Sequence, residues 1–129
     1  WNHGSNMWPR MKAEGIEYPK FEPEEMSNVI SYLYFINFED VAGSVEKGSH
    51  VFAEKKCKIC HVAEKPGEET IGPDLSEAGL NNPFDILSAM WNHAPTIEEK
   101  MAEERIRWPL LEKEEMRDLL AYILSLSKE

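Results

Sequence analysis

The chain has 129 residues, 42% of them apolar and 29% charged, and a formal net charge of −10. This size and balance fit one compact domain with an extension, read as globular and not as disordered, and would make two full domains cramped. The charge argues against nucleic acid as a partner, because a phosphate backbone demands clustered Lys and Arg, and the apolar runs are too short and too broken by charge to span a membrane.

The first segment, residues 1–40, begins Trp1-Asn2-His3 with neither an initiator Met nor a basic leader, the expected look of processed or trimmed material. It repeats the end of the chain at an offset of 90 positions: Trp1-Asn2-His3 matches Trp91-Asn92-His93, Met11 matches Met101, Glu14 matches Glu104, Ile16 matches Ile106 and Pro19 matches Pro109. The match continues without a gap through Glu24-Glu25-Met26 against Glu114-Glu115-Met116 and Tyr32 against Tyr122. Similar residues fill the intervals, such as Tyr18 for Trp108 and Val29 for Leu119. A register this long is duplication. Within the segment Pro23 marks a helix start, and Met26, Val29, Ile30, Leu33 and Ile36 give that helix an apolar face. Such a segment cannot bury its apolar face alone and must pack on something else.

Ser44 then N-caps a helix running to about Lys56, with Val45, Gly48, Val51 and Phe52 on one side. It leads into Cys57-Lys58-Ile59-Cys60-His61, which reads C-x-x-C-H, the pattern of covalent haem c attachment. Two thiols one helical turn apart can each add to one of two vinyl groups on the same porphyrin edge. The next residue projects an imidazole under the ring, where its Nε2 can bind iron. With two cysteines and four histidines in the chain, chance gives this arrangement about once in two thousand sequences. Two plainer readings compete. A redox dithiol usually follows a strand in a βαβ pattern, and no such pattern is present. A zinc site needs four N or S donors, and only His50, His93 and His3 could join the cysteines. Two cysteines three positions apart exclude a disulfide framework.

After a polar loop, Gly72-Pro73-Asp74-Leu75 forms a turn able to present the Pro73 carbonyl to the free Nδ1–H of His61, fixing the tautomer of the ring. Asn82-Pro83 starts a helix with a stripe of Phe84, Leu87, Met90 and Trp91. Thr96-Ile97-Glu98-Glu99 is a capping box, so a separate helix is expected from about Ile97 to Arg105, interrupted by Trp108-Pro109. Glu112, Glu114 and Glu115 open a last helix, where acidic side chains suit the positive dipole end, and Met116, Leu119, Leu120, Ile123 and Leu126 form its buried face. Strand patterns are essentially absent, so the fold class is all-α.

The stretch from about Ser44 to Ser127 resembles a class I monohaem cytochrome c domain. The resemblance is carried by Gly48 and Phe52 in the first helix, C-K-I-C-H at 57–61, Gly72-Pro73-Asp74-Leu75, and Leu120-Ala121-Tyr122-Ile123 in the last helix. More narrowly, Met90-Trp91-Asn92-His93-Ala94-Pro95 resembles a bacterial subgroup of small cytochromes. The resemblance implies a cytochrome c fold over 44–129 around one covalent haem c and its iron. It implies that the first and last helices cross where Gly48 meets Tyr122, and that Cys57, Cys60, His61, Pro73 and Leu75 form the haem site. It also implies a distal Met between the haem-binding half and the last helix. Met101 is the expectation, since Ile97 and Met101 lie four apart on one helix face; Met90 and His93 are its rivals.

By the same resemblance, residues 1–40 look like the distal half of such a domain, with no haem motif of its own. Three explanations stand. Either the chain comes from a longer dihaem protein, or the segment is a haem-free extension packed on residues 44–129, or it covers the haem domain of another copy by exchange, with Met11, Met7 or His3 as the ligand on offer. The implied function is electron transfer between redox protein partners or other haem domains, in the periplasm or outside the cell. No acid–base pair suggests an enzyme; the many Glu residues lie on solvated helix faces.

Overall fold

A computed structural model of the chain describes residues 1–37, 42–62 and 69–126. The outer ends of the two expected segments, 38–40 and 127–129, and the side chain of Ile36, lie outside the described residues, as does most of the polar loop at 63–68. Among the described residues six helices follow in order: α1 (Gly4–Ala13), α2 (Pro23–Asn37), α3 (Val45–Glu54), α4 (Cys57–His61), α5 (Pro83–Glu103) and α6 (Lys113–Leu126). No strand occurs among the described residues. The chain divides into two compact units, one made of Trp1–Asp40 with Phe84–Leu110, the other of Val41–Pro83 with Leu111–Glu129.

In the second unit α3 packs on α6. Ser44 begins α3 with extended backbone, and its hydroxyl accepts the Lys47 N–H at 3.3 Å, satisfying one orphan donor of the first turn. The Ser44 N–H donates to the Asp118 carboxylate at 2.7 Å, which ties the start of α3 to the middle of α6. One turn on, Gly48 lies so close to α6 that a Cβ there would collide with the Asp118 carbonyl and stand 2.7 Å from the Tyr122 Cβ. Only a residue without a side chain permits this crossing. Phe52 then fills the next turn, its ring 5.3 Å from that of Tyr122. Val51, Phe52, Leu119 and Ile123 are buried, whereas Val45, expected on the same side, is exposed in the first turn. Lys55 and Glu115 close the far end with an ion pair of 2.9 Å.

In the first unit the main departure from expectation is α5. One continuous helix replaces the two separated at the Thr96 capping box, although Pro95 lies inside it. Proline has no N–H to give the carbonyl four residues back, so the Trp91 oxygen would be left bare. The Tyr18 hydroxyl donates to that oxygen at 2.8 Å, and burial pushes the phenol pKa up, keeping it protonated as a donor. A tertiary hydrogen bond thus replaces the helical one, and the helix passes through. The predicted stripe of Phe84, Leu87, Met90 and Trp91 is only half-buried; full burial falls on Ile86, Ser88, Ala94 and Met101. The shift follows from Ser88 and Asn92, which pair with backbone and turn a polar edge inward. The Asn92 amide accepts the Phe21 N–H at 2.9 Å and donates to the Phe21 carbonyl at 2.8 Å, and the Ser88 hydroxyl donates to the same carbonyl. The helix α1, which lies outside the expected elements, places Trp8 in the core against Trp108, with ring centroids 5.3 Å apart.

Candidate functional site

The second unit builds its site from the end of α3 onward. Lys56 takes a left-handed conformation (φ 69°), which ends α3 and lets the chain start afresh as the short helix α4. That restart puts Cys57 and Cys60 one turn apart and His61 at the end of the same turn. Both cysteines are thiols of intermediate exposure. Burial, with a smaller contribution from Cys60, pushes the Cys57 thiol pKa up to about 11. A redox dithiol requires the opposite, a lowered pKa that supplies thiolate at neutral pH. Among the described residues no three His, Cys, Asp or Glu side chains gather as a metal site, so the four donors of a zinc site are not assembled.

The chain returns over the His61 ring. The Gly72 N–H donates to the Cys60 carbonyl at 2.9 Å, and the Thr70 hydroxyl donates to the Gly72 carbonyl, fixing the strap locally. Gly72 lies flat against the imidazole, where a Cβ would come within 2.7 Å of Cε1. The Pro73 carbonyl lies 2.9 Å from Nδ1. A carbonyl only accepts, so Nδ1 carries a proton, and in the neutral ring that tautomer leaves the lone pair on Nε2. Asp74 holds the next turn by accepting from the Ser76 N–H and hydroxyl at 2.9 and 2.8 Å. Leu75 is half-buried beyond it.

These residues fit a covalently held macrocycle on three counts. Two thiols stand at one-turn spacing, and an imidazole is oriented with Nε2 free to ligate. Around them Ile59, Val62 and Ile71 are exposed apolar side chains, surface that a flat porphyrin can cover. The residues weighed as distal ligands all belong to the first unit. Met101 is buried near the end of α5, Met90 and Met11 are half-buried, and His93, Met7 and His3 are exposed. The structure therefore brings Cys57, Cys60, His61 and Pro73 together in one strap, and sets Met101 apart from its rivals by burial. In the sequence Gly72 stands only as part of the Gly72-Pro73-Asp74-Leu75 motif. Its role against the ring shows in the contact geometry, and the signal for it was the glycine preceding Pro73.

An all-α chain whose short helix carries C-x-x-C-H under a Gly-Pro strap defines a c-type haem protein. The family model of cytochrome c matches residues 45–127, and the chain belongs to that family. Its cofactor is haem c with its iron, and the family role is electron transfer between redox proteins. Domains of this family are usually secreted or periplasmic, and no helix among the described residues is long and apolar enough to cross a membrane. No solved structure shows a significant match to the chain.

Proposed function

We propose that the chain carries one haem c on Cys57 and Cys60, ligated by His61 and Met101, and relays single electrons between redox partners in the periplasm or outside the cell. When bound, the haem iron supplies the one-electron ferric–ferrous couple. The protein does the rest. Each thiol would add its S–H across a vinyl group of the ring, and the resulting thioether would tie the ring edge to α4. The Pro73 carbonyl holds the Nδ1–H of His61, which orients the ring and raises the basicity of Nε2. Leu75 lies one residue beyond Asp74 on the strap and would cover the ring. Met101 offers a soft thioether that favours ferrous iron and raises the potential.

The single observation that carries this reading is the His61–Pro73 hydrogen bond on the C-x-x-C-H helix, because it leaves one nitrogen in the state that ligates iron. Support for Met101 over His93, Met90, Met11, Met7 and His3 is its burial, which suits an apolar sulfur ligand shielded from water. The narrower likeness to small bacterial cytochromes rests on Met90-Trp91-Asn92-His93-Ala94-Pro95 and names no pathway. We read residues 1–40 as a distal-half repeat, and the exposed apolar face of α2 favours a place in a multi-haem assembly.

The test is the optical spectrum of the purified holoprotein, oxidised and reduced, into the near infrared. The expected result is a sharp reduced c-type spectrum and a ferric Fe–S charge-transfer band that Met101→Ala abolishes. A band unchanged in Met101→Ala overturns the Met101 ligation. A high-spin spectrum with carbon monoxide binding in the unsubstituted protein overturns the carrier reading in favour of gas binding or catalysis.

A further inference from the structure

Segments 1–26 and 91–116 share a set of contacts, residue for residue. Trp1 stacks on Trp108 with ring centroids 4.3 Å apart, and its Nε1 donates to the Pro109 carbonyl at 3.1 Å. Trp91 stacks on Tyr18 at 5.5 Å, and its Nε1 donates to the Pro19 carbonyl at 2.7 Å. Tyr18 and Pro19 stand 90 positions before Trp108 and Pro109, so each pair is the image of the other. Such reciprocal contacts are the mark of an isologous, two-fold arrangement within one chain.

The turns behind them agree as well. The Ile16 N–H donates to the Met11 carbonyl and the Ile106 N–H to the Met101 carbonyl, both at 2.8 Å. Gly15 and Arg105 take left-handed φ values of 68° and 58°. The Glu22 N–H donates to Glu25 at 3.0 Å, and the Glu112 N–H to Glu115 at 2.9 Å, just before α2 and α6 begin. The two helices then diverge in one respect. On α6, Leu119 and Ile123 are 2% and 4% exposed under α3; on α2 the matching Val29 and Leu33 are 40% and 51% exposed, and Tyr32, the match of Tyr122, is 67% exposed.

We propose that α2 is the docking face for a second haem-binding half of the kind formed by residues 44–83. Its occupant is a helix with a small residue at the crossing and an aromatic one turn on, followed by C-x-x-C-H, and Met11 is the sulfur ligand offered to its haem. The proposal rests on the reading of α3, α4 and α6 as a haem module. A second copy of the chain is a poor occupant. Among its described residues each chain holds two helices of the α6 kind and one of the α3 kind, and that α3 is already covered by α6. A partner copy would have to unpair its own α6 to fill the face of α2.

The experiment extends the full chain at its N-terminus with a second copy of its residues 41–90, so that position 90 of the copy runs into Trp1 as it does into Trp91. The extended chain is produced in a host that attaches haem c. The expected product has two haems per chain, both low-spin. Met11→Ala or Leu33→Asp then converts half of the haem to high-spin and leaves the haem on Cys57 and Cys60 unchanged. In the unextended chain Leu33→Asp leaves the thermal midpoint unchanged, so the effect is not one of general unfolding. A second haem that is attached but high-spin overturns the proposal, as does a low-spin one indifferent to both substitutions. A stable dimer of the unextended holoprotein that Leu33→Asp converts to monomer also overturns it, because a copy then covers α2. Loss of the normal spectrum of the Cys57–Cys60 haem instead strikes the proposed electron-carrier role of that haem.

Discussion

The helices α2 and α6 carry nearly the same apolar pattern, yet α6 buries Leu119 and Ile123 while α2 leaves Val29 and Leu33 in water. The difference teaches that periodicity specifies a face and not its partner. The partner of α6 is specified elsewhere in the chain, by Gly48 on α3, whose missing side chain lets the two backbones touch. Among the described residues no second helix brings such a glycine to α2, and its pattern remains a face waiting for one.

The largest effect is expected where that specification lies. Gly48→Leu drives a side chain into the Asp118 carbonyl and should cost about 4 kcal/mol, measured by denaturant unfolding of the second unit. A loss under 1 kcal/mol would mean that α3 and α6 do not cross at this contact. Next, Leu119→Ala should cost about 3 kcal/mol by leaving a cavity, while Val29→Ala at the matching position should change stability by less than about 0.5 kcal/mol. Equal losses at the two positions would show that α2 is covered after all.

Much of this could be read from the residues. The cap at Ser44, the C-x-x-C-H helix, the Pro73 turn and the start of α6 all rest on local chemistry, where a few neighbouring residues decide the outcome. What escaped was decided at a distance. Pro95 and the capping box at Thr96 announce a break, and only the Tyr18 hydroxyl, 73 positions from Trp91 in sequence, removes it. The burial of Ile86 in place of Phe84 depends likewise on how Asn92 and Ser88 grip the Phe21 backbone. The burial of Met101 could be anticipated from its face shared with Ile97, but the ranking of six candidate ligands needed their exposures.

Smaller effects sharpen the comparison of the two segments. Gly15 and Arg105 occupy the same left-handed turn position, which costs a side chain about 1 kcal/mol. Arg105→Gly should therefore raise stability by about that amount and Gly15→Ala lower it by a similar one, both seen as shifts of the thermal midpoint. Shifts of the same sign would contradict the equivalence of the two turns.

The smallest effect concerns pH. The Glu112 N–H, and then the Lys55 ammonium, hold the Glu115 carboxyl below the usual carboxylate range. A folded-state pKa below the ordinary value of 4.5 contributes stability that is present above that value and lost as pH falls through the folded one. Glu115→Gln should cost about 0.5 kcal/mol at neutral pH and flatten the acid limb of the stability profile below that value. An unchanged acid limb would show that the Lys55 pair contributes nothing.

Haem c electron transfer at His61 is tested most directly by intact-mass analysis and potentiometric titration of the purified holoprotein. One covalently bound haem per chain, titrating as a single reversible one-electron wave and lost in Cys57→Ser/Cys60→Ser, is the expected result. A chain that leaves a host competent in haem attachment without covalent haem, or whose haem cannot be cycled between ferric and ferrous, would contradict it.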